Sequence, residues 1–169
     1  IQMLPDKAWG DDYDLCLELY SIGAKAESFV GNVFMMEKYC QAVLSQEHKP
    51  IEDKFDVYNT LIDNMSNEGR IDEAVKLLLE ILGRFKCRFP KNPAMIALEV
   101  MQNVIWIQGT MQCRETSKLV PMSDNTRVKL MQLLDKLATC FYMSKDSRLP
   151  LVIFRSLNWT IKYGNCAYS

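Results

Sequence analysis

Apolar side chains return every three or four residues along most of this chain, and the α-helix is the regular structure that places such a row on one buried face. Leu15, Leu19, Ile22, Ala26 and Phe29 form the first row. Gly31-Asn32 interrupts it, and Val33, Met36, Tyr39, Cys40, Val43 and Leu44 form the second. Two rows separated by a turn-forming glycine predict two antiparallel helices, with Asp11, Asp12 and Asp14 capping the start of the first.

The pattern then recurs. Ile51, Phe55, Tyr58, Ile62 and Met65 lead to Gly69-Arg70, and Ile71, Ala74, Leu78, Ile81, Leu82 and Phe85 follow. Gly31 matches Gly69, Tyr20 matches Tyr58, Val33 matches Ile71 and Leu44 matches Leu82, each 38 residues on. A glycine at both turns permits the left-handed backbone that ends a helix without a Cβ clash.

Phe89-Pro90-Lys91-Asn92-Pro93 stops the fourth helix, and a fifth row runs through Met95, Leu98, Met101, Val104 and Ile105 to Gly109. Beyond it the spacing is irregular. Gln112 to Leu119 is expected to hold a brief helix closed by Pro121, and Ser123-Asp124 caps a long one through Val128, Met131, Leu134, Ala138 and Phe141. A last helix starts near Pro150 and runs through Leu151, Phe154, Leu157 and Ile161 to Gly164-Asn165, the dipeptide that also ends the first helix. No stretch alternates apolar and polar residues over a strand's length. The fold class expected is all-α, stacked antiparallel helical hairpins. Residues 1–10 form a lead-in, 11–88 two hairpins, and 89–169 an irregular pair ending in the first helix of an incomplete repeat.

Twenty basic and twenty-one acidic side chains leave a formal charge of −1, so nothing pulls the whole chain toward phosphate backbones or anionic membranes. Nucleic acid is disfavoured as a partner. One local basic stretch, Arg84, Lys86, Arg88 and Lys91 with Phe85 and Phe89 interleaved, has the make-up of a base-stacking surface. Cations at the end of a helix also complement its dipole, which is their ordinary role. No run of residues is apolar and long enough for a membrane span. The six cysteines, at 16, 40, 87, 113, 140 and 166, form no C-x-x-C pair. They suit small apolar core positions in a reducing, intracellular compartment, the cytoplasm first. Asn64-Met-Ser66 and Asn158-Trp-Thr160 have the glycosylation spacing but fall inside expected helices.

No catalytic constellation emerges. The single histidine, His48, sits between Glu47 and Lys49 in a polar turn, and no Ser or Cys has a base beside it in sequence. Glu27, Glu37, Glu73 and Glu80 fall on expected solvated helix faces. Phosphate-cradling glycine loops, calcium loops and zinc spacings are absent from the sequence, so no cofactor, metal or catalytic residue is expected. Ten methionines, among them Met35, Met36, Met95, Met101 and Met131, fit core filling or an adaptable groove. Trp9, Trp106 and Trp159 are expected as packing anchors.

The segment Asp12-Tyr-Asp-Leu-Cys-Leu-Glu-Leu-Tyr20, with Gly31-Asn32 and Met36-Glu37, resembles the tetratricopeptide-like helical region of large multidomain signalling ATPases. Asp53-Lys-Phe-Asp-Val-Tyr58, Gly69-Arg-Ile-Asp-Glu-Ala74, Phe89-Pro90, Pro121-Met-Ser-Asp124 and Tyr163-Gly-Asn165 continue that resemblance in register. It implies a scaffold role beside ATPase, kinase and histidine-kinase modules, with protein partners in neighbouring domains or subunits. A free-standing adaptor subunit is the alternative. Tyr58-Asn-Thr-Leu-Ile-Asp63 with Gly69 to Ala74 is also similar to a pentatricopeptide repeat, which implies an RNA base facing Asn59.

The chain starts at Ile1 without an initiator Met, as a piece of a longer protein would. Only Cys166 to Ser169 follow Gly164-Asn165, too few to cover the preceding helix. Val152, Phe154, Leu157, Trp159 and Ile161 are therefore expected to face a partner or further helices. The hairpin turns are expected at Gly31, Asn32, Gly69, Arg70, Gly164 and Asn165.

Overall fold

The helices that start at Tyr13, Val33 and Asn125 begin where the sequence supplies a capping side chain. The computed structural model describes residues 8–111 and 120–168, so the expected helix between Gln112 and Leu119 lies outside the described residues. The helices are α1 (Ala8–Asp11), α2 (Tyr13–Val30), α3 (Val33–Leu44), α4 (Phe55–Asn67), α5 (Ile71–Arg84), α6 (Pro93–Met111), α7 (Asn125–Ser144) and α8 (Leu149–Tyr163), with a 3-10 turn at Ile51–Lys54. Among the described residues there is no β-strand, only an isolated parallel bridge between Pro121 and Asn165. The chain is all-helical. It divides after Arg70 into two compact units, and not after residue 88 as the repeat spacing predicts. Helix α4 thus belongs to the first unit and α5 to the second.

In the first unit, Asp12 caps α2 by accepting from the Leu15 amide at 3.1 Å, one of the donors a helix start leaves free. Gly31 ends α2 at φ 80°, ψ 14°, and the Asn32 amide reaches back to the Glu27 carbonyl at 2.9 Å. That is the left-handed closure expected of a C-terminal glycine. Asn32 then caps α3, its side chain accepting from the Met35 amide. Helices α2 and α3 pack together and α4 lies against both.

The buried row of α2 is Cys16, Tyr20 and Ala24, with Gly23. The expected row, Leu15, Leu19, Ile22 and Phe29, is exposed. The cause lies in the aromatic rings. Tyr20 meets Trp9 at 5.1 Å between centroids and Tyr39 edge-on at 5.7 Å, favourable geometries for ring pairs. The small Gly23 and Ala24 stand beside it on the buried side. Residues one position along a helix lie about 100° apart, so placing Tyr20 inward turns Leu19 out. Met36, Tyr39, Cys40 and Val43 of α3 are buried as expected. Lys54 is buried too, its Nζ donating to the Gln46 carbonyl at 2.6 Å and the Leu44 carbonyl at 3.5 Å.

In the second unit α7 packs against both α5 and α8, and α6 packs on α8. Two neighbours require two buried faces, and α7 buries Leu130, Met131, Leu133, Leu134, Leu137, Cys140 and Phe141. Each such Leu contributes about 1.5–3 kcal/mol relative to exposure. Asp124 caps α7, accepting from the Thr126 and Arg127 amides at 3.0 and 3.3 Å. Lys145 ends it in the left-handed region at φ 56°. In the turn that follows, Asp146 accepts from Arg148 at Nε (3.0 Å) and at Nη2 (2.6 Å). The Arg148 guanidinium also lies over the Phe141 ring at 4.7 Å.

Two expectations fail in this unit. On α8, Val152 and Ile161 are buried and Phe154, Leu157 and Trp159 are half-buried, because α7 and α6 already cover much of the face expected to be open. Gly164-Asn165 is not a copy of the Gly31-Asn32 turn. Gly164 has φ 105°, ψ 176°, and its neighbours pair with another segment: Met122 N–H donates to the Asn165 carbonyl at 2.8 Å and Asn165 N–H to the Val120 carbonyl at 2.9 Å. A Cβ on Gly164 would stand 2.2 Å from the Val120 oxygen.

Candidate interaction surfaces

Helix α2 is apolar on two sides, and its unit uses one. The other carries Leu15, Leu19, Ile22 and Phe29 at spacings of four, three and seven residues, which keep them on one side of the helix. Phe29 is 92% exposed, and Val30 and Phe34 beside the turn are 82% and 73% exposed. Helix α6 is the second such element. Met95, Leu98, Met101 and Ile105 lie along one side of it and all are exposed, while among its described side chains Ile96 is buried and Val100, Asn103 and Ile107 are half-buried. The fifth row read from the sequence therefore exists but faces outward. Trp106 is 46% exposed, not the packing anchor expected, whereas Trp9 is buried and Trp159 half-buried. Met36 and Met131 fill core, and Met95 and Met101 do not.

The basic stretch of residues 84–91 gains partners that are remote in sequence. Helix α5 ends as Phe85, Lys86 and Cys87 turn back, the Cys87 amide donating to the Leu82 carbonyl at 3.0 Å with Lys86 at φ 61°. That turn brings Arg88, Phe89 and Lys91 alongside Lys76, Leu79, Gly83 and Arg84 of α5, and Arg148 of the α7–α8 turn closes the same groove. Its volume is about 580 Å³, within the range of ligand clefts. Past Arg148 a second hollow of about 590 Å³ shares Lys76, Leu79 and Lys91 and adds Asp72, Ile96 and Asp146. Arg84 pairs with Glu80 at 3.0 Å, and Arg148 with Asp146 at 2.6 Å. The Arg148 hydrogen bonds hold the Asp146 carboxyl below the usual aspartate range. Of the two rings interleaved in this stretch, Phe85 is half-buried and the Arg155 guanidinium stands 5.7 Å from the centre of the Phe89 ring. Sequence reading missed Lys76 and Arg148 because nothing local links them to residue 88.

The remaining candidates resolve individually. His48 is exposed in the turn before Pro50. Cys16, Cys40, Cys87 and Cys140 are buried free thiols and Cys166 is half-buried. Burial pushes Cys40 up to about 12 and raises Cys87, where Arg155 pulls back only partly. Both are poor nucleophiles in the folded chain. Burial, then the Asp53 carboxylate that accepts from its hydroxyl at 3.4 Å, pushes Tyr13 up to about 12. Among the described residues no group of three or more His, Cys, Asp and Glu side chains is placed to hold a metal ion. No described helix is long and apolar enough to cross a membrane. Asn59 is 8% exposed, so it does not stand where the pentatricopeptide resemblance requires it, facing a base. Asn64 is buried and Asn158 half-buried, its amide donating to Asn103 Oδ1 at 2.9 Å. Neither sequon is open on the surface.

Compared with protein-family models, curated proteins and solved structures, the chain has no significant match.

Proposed function

We propose that this chain is a non-catalytic helical scaffold segment that holds neighbouring protein parts, of the tetratricopeptide-like kind found in large signalling ATPases with kinase and histidine-kinase modules. One observation supports the reading above the rest: α2 carries a complete second apolar row, from Leu15 to Phe29, that its own unit leaves exposed. Isolated exposed apolar residues are ordinary, but an aligned row marks a surface that another protein covers. In stacked helical repeats the second side of each hairpin is covered by its neighbour. The outward row of α6 fits the same role.

The test is site-specific photo-crosslinking in the native protein, with a benzophenone amino acid at Ile22, Phe29 or Ile105 and at Glu47, an exposed polar position in the turn after α3, as control. The reading expects discrete protein adducts from the three apolar positions and none from Glu47, with mass spectrometry placing them on a flanking domain or a fixed subunit. Diffuse or absent adducts at all three positions would remove its support. Coding sequence flanking this segment should carry nucleotide-binding or kinase motifs. A flank without them leaves the free-standing adaptor as the better form of the proposal.

A further inference from the structure

We infer that the basic groove of the second unit is a docking site for an acidic peptide segment carrying one large apolar side chain. The inference rests on the protein-binding reading above and names a partner chemistry for a surface which that reading does not use. Three observations converge on it. The first is charge. Lys76, Arg84, Arg88, Lys91 and Arg148 line the groove against a single carboxylate, Glu80. Glu80 is bonded to Arg84, and Arg148 is held by Asp146, which leaves Lys76, Arg88 and Lys91 without an ion pair among the described residues. Three free cations around one hollow are complementary to carboxylates, and clustered cations are how proteins recognise acidic motifs.

The second observation is the apolar lining that these cations surround. Leu79, Cys87 and Phe89 contribute to the same hollow, so a ligand able to use the whole groove pairs negative charge with an apolar group. The third is Gly83. It lies in the last turn of α5 on the groove wall, and a Cβ built there meets nothing within 4 Å. The missing side chain keeps the hollow open on a helix whose other groove-facing positions carry long side chains.

These features favour a peptide over nucleic acid. A single-stranded nucleic acid binds along an extended basic track with aromatic faces free for successive bases. Here the cations converge on one hollow, Phe85 is half-buried, and Arg155 stands over the Phe89 ring. Asp72 and Asp146 border the adjoining hollow and would repel phosphates that continued past Arg148.

The experiment is fluorescence anisotropy on the full chain with a labelled peptide of five glutamates around one phenylalanine. Its companions are the same peptide with glutamines for glutamates, one with alanine for phenylalanine, and a uridine decamer. The acidic phenylalanine peptide should bind saturably at micromolar concentrations, the alanine peptide about tenfold more weakly, and the glutamine peptide not measurably. Arg88→Glu and Lys91→Glu should each weaken binding about tenfold, while Lys38→Glu, an equal charge change on the first unit, leaves it within twofold. Gly83→Trp fills the hollow without altering charge and should abolish binding, whereas Gly83→Ala should bind as the parent does. Each variant is first matched to the parent by its helical melting curve, and Gly83→Ala keeps the test decisive if the tryptophan variant melts early. No saturable peptide binding by the parent overturns the inference. So does equal loss in Lys38→Glu, undiminished binding in Gly83→Trp, or tighter binding of the uridine decamer that Arg88→Glu removes. Crosslinks at Ile22, Phe29 and Ile105 lie outside the groove, so they stand or fall separately from these results.

Discussion

The Gly-Asn dipeptide follows a helix once in each unit, and the two copies are closed by different means. At Gly31-Asn32 the turn is local: the left-handed glycine lies in open space, and its hydrogen bonds reach no farther than the last turn of α2. Gly69 ends α4 in the same way at φ 75°, with the Arg70 amide on the Met65 carbonyl. At Gly164-Asn165 the backbone is held from outside, paired with Val120 to Met122 from another part of the chain. The α7–α8 turn is local again, with Lys145 left-handed and the Asp146 amide on the Phe141 carbonyl at 2.9 Å, and it is fastened further by the Asp146 and Arg148 pair and the Phe141 ring. Local closures follow from backbone chemistry that a sequence displays, whereas the second kind depends on which distant segment arrives.

Substitutions can break or sharpen this contrast, and the largest effect belongs to Gly164. Gly164→Ala combines a strained backbone region with a Cβ 2.2 Å from the Val120 oxygen and is expected to cost about 3 kcal/mol or more. Chemical denaturation measures it, and amide exchange at Met122 and Asn165 should show the bridge opening first. A cost equal to that of Gly31→Ala would erase the distinction between the two dipeptides.

Asp146→Asn comes next, at about 1–2 kcal/mol near neutral pH, as hydrogen bonds to a charged, largely screened pair allow. The native carboxyl sits below its ordinary value, so its contribution is complete above about pH 4 and is lost as pH falls through the folded value. Parent and variant melting curves should therefore converge in acid. A gap that persists at pH 2 would mean that the turn is held by packing and not by the ion pair. The smallest effect is at the first unit's turns, where Gly31→Ala and Gly69→Ala should each cost about 1 kcal/mol, the left-handed penalty alone. A much larger loss at either position would reveal a tertiary contact at a turn described here as local.

The same contrast explains what was legible in the sequence. Helices α2 to α8 announce themselves through spacing, Asp12 and Asp124 through cap chemistry, and Gly31 and Gly69 through the turn. Which face each helix buries was legible only where one face is apolar, as in α3 and α5. Helix α2 offers two apolar rows, and the choice fell to Tyr20 because Trp9 and Tyr39 meet it, a fact of tertiary placement. Helix α6 carries apolar residues on several sides, and its spacing could not show that Ile96 would be covered while Met95, Leu98, Met101 and Ile105 stayed exposed. Within the second unit α5 packs against α7, a partner the repeat does not name. Half of the basic groove was legible as residues 84–91. The other half, Lys76 and Arg148, required the turn at Cys87 and the clamp at Asp146 to bring it there.

The buried thiols described above also make the chain a clock. Cys16 and Cys40 lie in the first unit, Cys87 and Cys140 in the second, and Cys166 is partly open. An alkylating reagent consumes thiolate, so among the described thiols the half-buried Cys166 reacts fastest. Each buried pair then reacts only as often as its own unit opens. The ratio of the two slow rates reads the difference in opening free energy between the units directly, in unmodified protein and with no added reporter.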